Sequence, residues 1–284
     1  MKKTGAGPDG GRRPLEQALR EYARGIIGGL LFSLPLLYTM EVWWAGFIAH
    51  PVHLLFYLSA GFVLLLGYNR YAGLHKDASW LEVGIEAVEE MGIGLLLSTF
   101  FLWALGQIDG AQPWPEILGK ITVEAVTVAI GVSVGASQLG GSREEQEGGM
   151  AGDTRAREGS SVLGHVVLAA CGAVLLASNV APTEEIVQIA LETTRWQILL
   201  LALLSLAFGG FVLLYGGLDG DGDSRTTVIS RSVIQYAVSL VASAFILWFF
   251  GRFQGTSLAT SLAEVVVLGA PACLGASVGR LLLQ

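Results

Sequence analysis

Two glutamates sit where charged groups are rarely tolerated. Glu124 and Glu264 each interrupt a long apolar run, and each stands eleven residues ahead of a Gly-Ala-Ser triplet, Gly135-Ala136-Ser137 and Gly275-Ala276-Ser277. A charged side chain at the centre of a bilayer costs about 2.5–3.5 kcal/mol by insertion scales. Carrying that cost twice, at matched positions, points to carboxylates that bind a cation. Glu41, after Tyr38-Thr39-Met40, and Glu184 and Glu185, after Pro182-Thr183, form a second matched group near the same side of the apolar runs. Rings of carboxylates at a pore mouth concentrate cations, and Ca²⁺ takes carboxylate and backbone carbonyl oxygens together. Helix breaks at Pro35, Pro182 and Pro271 are expected to free such carbonyls. Glu264, Glu124, Glu41, Glu184 and Glu185 are therefore the expected ligands of a bound cation, Ca²⁺ or Na⁺. The plainer reading has Glu41, Glu184 and Glu185 solvated at loop ends and Glu124 paired with Lys120 one helical turn away. Thr260 stands where a partner of Glu264 would be, so that explanation covers only one of the two.

A second acidic set, Glu82, Glu86, Glu89 and Glu90, opens another apolar run with most members on one helical face. The matching stretch of the second half carries Arg231 and Gln235 opposite Glu86 and Glu90. This predicts a charge-complementary contact between the halves, with Glu86, Glu90 and Arg231 as a cytoplasmic gate; carboxylates opening a helix, stabilised by its dipole, are the plainer account. His50 and His53 flank Pro51 with the spacing of a helical turn, a weak metal signal. Asp219-Gly220-Asp221-Gly222-Asp223 starts like a calcium loop but has Ser224 at its sixth position and Ser230 at its twelfth, so a solvated turn is expected. Cys171 and Cys273 fall inside apolar runs and read as small buried residues. No phosphate loop, nucleophile triad or metalloprotease helix is visible, so enzymatic chemistry and an organic cofactor are not expected.

The elements that must position these groups are membrane helices. Of 284 residues, 52% are hydrophobic and 14% charged, against about 25% charged in a soluble domain. The expected fold is an all-α bundle of eight spans, roughly Gly25–Trp44, Val52–Tyr68, Val83–Gly106, Ile117–Gln138, Val162–Ala181, Trp196–Leu214, Val233–Phe250 and Leu258–Leu282; seven is the alternative, with the second span re-entrant. Every Lys and Arg except Lys120, Arg195 and Arg252 falls on one side of this arrangement, which places both termini in the cytoplasm of a bacterial inner membrane. Met1 to Arg24 lacks the apolar core of a signal peptide. Leu15, Ala18, Leu19 and Tyr22 predict a short amphipathic surface helix in the tail, residues 1–24. Trp43, Trp44, Trp103, Trp114, Trp196 and Trp248 are expected at the membrane boundaries.

Beyond the two glutamates, Gly61-Phe62-Val63-Leu64-Leu65 recurs as Gly210-Phe211-Val212-Leu213-Leu214. Phe100-Phe101-Leu102-Trp103-Ala104-Leu105-Gly106 is echoed by Phe245-Ile246-Leu247-Trp248-Phe249-Phe250-Gly251. These matches predict two four-span repeats, residues 25–139 and 161–284, joined by a flexible cytoplasmic linker over 140–160. With an even number of spans each, the halves share one orientation about an axis along the membrane normal. The small-residue rows Gly25/Gly29/Ser33, Gly131/Gly135 and Gly275/Gly279 predict close helix packing.

The stretch Leu34-Pro35-Leu36-Leu37-Tyr38-Thr39-Met40-Glu41-Val42-Trp43-Trp44, with Arg20-Glu21-Tyr22-Ala23-Arg24-Gly25 before it, resembles a bacterial family of integral membrane proteins of unknown function. The resemblance implies seven or eight spans and no assigned activity. Asn179-Val180-Ala181-Pro182-Thr183-Glu184-Glu185 is similar to the repeat motif of cation/calcium exchangers, whose halves are, however, inverted and five-span. The expected function is a cation channel or transporter for Ca²⁺, Na⁺ or H⁺; the alternative is a membrane scaffold or sensor without transport. The expected partners are the lipid bilayer and inorganic cations, without nucleic acid, and a homo-oligomer is compatible with the sequence.

Overall fold

The computed structural model describes residues 15–72, 79–147, 162–215 and 225–281, and these residues form ten helices and no strand. The first five are α1 (Leu15–Leu37), α2 (Met40–Ile48), α3 (Pro51–Ala72), α4 (Trp80–Ala104) and α5 (Trp114–Glu147). The second five are α6 (Val162–Val180), α7 (Glu184–Glu192), α8 (Arg195–Tyr215), α9 (Arg225–Phe249) and α10 (Leu258–Leu281). Long, short, long, long, long repeats twice.

Six helices are long and apolar enough to cross a membrane: α3, the Trp114–Ser137 part of α5, α6, and most of α8, α9 and α10. α1 and α2 together make a seventh, bent by 83°. α4 fails by composition, because Glu82, Glu86, Glu89 and Glu90 leave an uninterrupted apolar stretch only from Met91 to Ala104, short of the about 20 residues a span needs. Its packing still makes it the return stroke. Tyr57 meets Thr127 and Tyr68 meets Ser137, so α3 and α5 run parallel and the chain must travel back between them. α4 does so against α5, with Gly94 on Ala125 and Ala129.

The burial pattern fits lipid surroundings. α5 is the central helix, with 83% of its span buried, whereas α3 buries 22% and α8 17%. Large apolar side chains cover the outside, and Trp44, Trp103, Trp114, Trp196 and Trp248 stand exposed at one end of the bundle, as amphipathic rings do at a headgroup layer. That end, where α1 finishes and α5 begins, is called the far end below; the opposite is the near end. The chain is a polytopic helical membrane protein.

The two halves match in detail. α4 and α9 both finish in a Schellman turn: Gly106 and Gly251 take φ of 69° and 70°, and Gln107 and Arg252 donate their N–H to Leu102 and Leu247 at 2.8 and 3.0 Å. Thr39 and Thr183 occupy the same extended position before α2 and α7. α1 crosses α5 where Gly28 meets Gly135, and α6 crosses α10 where Gly172 meets Gly275; at both crossings a Cβ on the α5 or α10 glycine would overlap the partner backbone. α1 runs antiparallel to α5 and α6 antiparallel to α3, so both halves face the same way across the membrane.

Several expectations change. The first span is not one straight helix: α1 ends two residues after Pro35, and Thr39 turns its hydroxyl onto the Pro35 carbonyl at 2.6 Å. α1 already starts at Leu15, so the expected amphipathic helix is the beginning of the first membrane helix. Pro271 breaks nothing, because α10 runs through it; of the three prolines only Pro182 lies in a turn. Gly140 to Glu147, assigned to a flexible linker, continue α5 as helix, and the rest of that linker lies outside the described residues. The Gly61/Gly210 match is out of register. Leu54 and Ile198 make the same first-turn bond, to His50 and Thr194, and buried Gly61, Leu65 and Asn69 align with buried Ser205, Gly209 and Leu213.

Candidate functional site

Glu124 lies in the middle of α5, between Val123 and Ala125, and is fully buried. Neither carboxylate oxygen has a hydrogen-bond partner among the described residues. The polar group on which its charge bears is the buried Tyr57 hydroxyl of α3. That hydroxyl lies 3.4 Å from Thr127 Oγ1, one turn along α5, and 3.5 Å from Ser178 Oγ of α6. Phe249 stacks on the Tyr57 ring at 4.1 Å and fixes its plane.

Lys120 is not the partner of Glu124. Its ammonium points the other way along α5, to Glu116 Oε1 at 2.6 Å and to the Gln107 carbonyl at 3.0 Å. From sequence the two carboxylates one turn away are equivalent; the carbonyl of the α4–α5 turn decides between them, because it sits on the Glu116 side. Lys120→Met is accordingly expected to cost about 1–2 kcal/mol, the loss of a charge-assisted bond to a part-exposed carboxylate, and to leave any activity of Glu124 unchanged; thermal unfolding in detergent and a flux assay check the two halves of this statement.

Glu264 repeats the arrangement in α10. It too is fully buried, and neither of its oxygens has a hydrogen-bond partner among the described residues. The opposite charge that bears on it is Arg252. Arg252 occupies the position of Gln107 in the matching turn, so a cation stands on the helix in the first half, as Lys120, and on the turn in the second, as Arg252. The surroundings differ in tightness. In the first half Gly46 and Gly119 let α2 and α5 touch backbone to backbone; in the second their counterparts are Ala190 and Ala259, and α7 stands off. A cavity of 330 Å³ opens there between α7, α8 and α10, lined by Ala190, Arg195, Ala259, Thr260, Ala263 and Val266. Thr260 and Ala263 bring it within one helical turn of Glu264.

A second buried polar group lies nearer the other end. Asn69 donates its amide to Glu90 Oε2 at 2.7 Å and accepts the Ser133 hydroxyl at 2.7 Å, while Tyr68 bonds Ser137 at 2.7 Å. The counterpart of Glu90 is Gln235, which donates to Ser277, the counterpart of Ser137, at 2.5 Å. Thr127 and Ser133 are six residues apart on α5, about 9 Å, and the intervening layer of Ala129, Ile130 and Leu65 is apolar and buried. The first half thus holds a fully buried carboxylate, Glu124, and a half-buried one, Glu90, on either side of a hydrophobic plug. The Asn69–Ser133 link was not legible, since it joins three helices through uncharged residues.

The remaining candidates stay apart. α5, which carries Glu124, and α10, which carries Glu264, are not among the packed helix pairs of the described residues. Glu41 is half-buried on α2, and Glu184 and Glu185 are exposed at the start of α7. The backbone N–H of Glu185 and the Thr183 hydroxyl hold the Glu185 carboxyl below the usual carboxylate range, which keeps it ionised at neutral pH. Glu86 and Glu90 lie on α4 and Arg231 on α9, helices that are not among the packed pairs of the described residues, and Arg231 lines a 130 Å³ cavity with Gln235 and His165. His53 lies edge-on to Trp248. Cys171 and Cys273 are buried and unbridged. Among the described residues no three His, Cys, Asp or Glu side chains gather to hold a metal ion. The Asp219–Asp223 loop lies outside the described residues.

No curated protein and no solved structure matches the chain. The sequence pattern of one family, "Putative integral membrane protein (DUF2391)", matches residues 21–283, nearly the whole chain. The chain belongs to that family of integral membrane proteins.

Proposed function

We propose that the protein carries protons across the membrane through its buried carboxylates, with Glu124 and Glu264 as matched binding stations reached from the far end and Glu90 as a second station in the first half. One observation carries this reading: two fully buried glutamates, at equivalent positions of a duplicated fold, have no hydrogen-bond donor among the described residues. A buried carboxylate left so costs several kcal/mol as an ion and must be neutralised by a proton or a cation. Isolated carboxylates suit a proton better than Ca²⁺, which takes six to eight oxygens. Tyr57, Thr127 and Ser178 supply hydroxyls that can pass a proton inward from Glu124, and the Asn69–Ser133–Glu90 group can receive it. The apolar layer between them blocks an open wire, so transfer needs a helix movement, as in a carrier rather than an open channel. The cavity beside Glu264 gives water an approach, and Glu41, Glu184 and Glu185 lend the far end negative charge. The basic residues gathered at the near end favour placing that end in the cytoplasm.

The test is proton uptake by proteoliposomes containing a trapped pH dye under an imposed membrane potential. Wild-type protein is expected to acidify the lumen, and Glu124→Gln combined with Glu264→Gln to fall to the level of empty liposomes. Unaltered uptake in the double variant removes both residues from the mechanism.

A further inference from the structure

The two halves are joined by an interface that is not two-fold. α6 of the second half packs on α3 of the first: Ser178 meets Tyr57, Cys171 lies 3.6 Å from the Leu64 carbonyl, and Val167 abuts Gly67. A two-fold relation would place α1 on α8 in the same way, and those helices share no packed interface. The contact is therefore head-to-tail, one face of a repeat meeting a different face of the next. Such a contact leaves a copy of each face unused at the two ends, and repeating it builds a ring or an open array.

Both unused faces are present and apolar. In the register fixed by Gly28/Gly172 and Thr39/Thr183, the docking residues Val167, Cys171, Leu175 and Ser178 of α6 correspond to Ala23, Ile27, Leu31 and Leu34 of α1. The α6 residues Cys171, Leu175 and Ser178 are 1%, 4% and 0% exposed, whereas Ile27, Leu31 and Leu34 are 57%, 70% and 45% exposed. The receiving residue Leu64 of α3 corresponds to Phe208 of α8, which is 46% exposed. No polar group would be stranded, because the hydroxyls of Tyr57 and Ser178 are replaced by Leu201 and Leu34. The halves face the same way across the membrane, so repeating their contact also keeps two chains in one orientation, as a bilayer requires.

We infer that a second copy of the chain docks head-to-tail, the α1 face of one protomer on the α8 face of the next, reproducing between chains the contact that α6 makes with α3 within the chain. This rests on the duplication and is independent of proton transport. Cysteine crosslinking of the full-length protein in membranes tests it, with the native buried cysteines kept throughout as background. Ile27→Cys with Phe208→Cys in one chain is expected to give a covalent dimer and higher species on oxidation. Co-expressing chains that carry one substitution each is expected to give a dimer alone, and either single variant by itself only monomer. Ile27→Cys with Val63→Cys, which places the second cysteine on a lipid-facing position of similar depth, is the control for random collision. Lipid as the only occupant of these faces would leave the pair no better than that control, and a two-fold dimer would crosslink a single variant with itself; either result overturns the inference.

Discussion

Methionine at Glu124 and at Glu264 is expected to make the protein more stable and inactive at once. Each glutamate buries two carboxylate oxygens without a donor among the described residues, and an unsatisfied buried polar group costs about 1–3 kcal/mol. Methionine is close in volume and flexible enough to fill the space. For a chain of this length about 1 kcal/mol corresponds to about 2–4 °C in Tm, so each substitution is expected to raise the Tm of detergent-solubilised protein by several degrees while proton uptake disappears. A gain in stability paired with loss of transport marks a group kept for function against its structural cost. A lowered Tm would mean that the carboxylates hold the fold together instead.

The largest loss is expected at the helix crossings. A Cβ on Gly135 would overlap the Gly28 backbone, and one on Gly275 would overlap the Gly172 carbonyl. A side chain there must push α1 off α5, or α6 off α10, along their most extensive contacts. Gly135→Leu and Gly275→Leu are each expected to cost more than about 4 kcal/mol, beyond the ordinary range of point substitutions, and to abolish recovery of monodisperse protein. Gly84→Leu and Gly92→Leu on α4 are the controls: a Cβ at either meets open space, and leucine favours helix over glycine by about 0.5–1 kcal/mol. Size-exclusion profiles of the four variants check both expectations.

The sequence shows these crossings only in part. Membrane helices announce themselves through apolar runs, so the helical class is legible, and the paired glutamates stand out because charge is expensive there. Side-chain direction is not. Lys120 is one turn from both Glu116 and Glu124, and only the Gln107 carbonyl, thirteen residues away, turns it to Glu116. The local partner expected for Glu124 thereby falls away, while Arg252 bears on Glu264. Pro35 and Pro271 look alike in sequence, yet only the first precedes a bend, where the Thr39 hydroxyl takes up the Pro35 carbonyl. The apolar match of Gly61 with Gly210 is a coincidence of composition that caps and burial correct. The relation between halves is legible least of all: parallel orientation follows from counting spans, whereas a head-to-tail contact depends on which faces dock.

The central claim is that Glu124 and Glu264 change protonation as the protein works. Infrared difference spectroscopy on reconstituted protein, comparing membranes before and after a pH gradient is imposed, observes the carboxyl C=O stretch directly. The account predicts a carboxyl difference band in wild type that weakens in either single Glu→Gln variant and is lost in the double variant. Proton uptake with no carboxyl difference band, or a band that survives in the double variant, would contradict it.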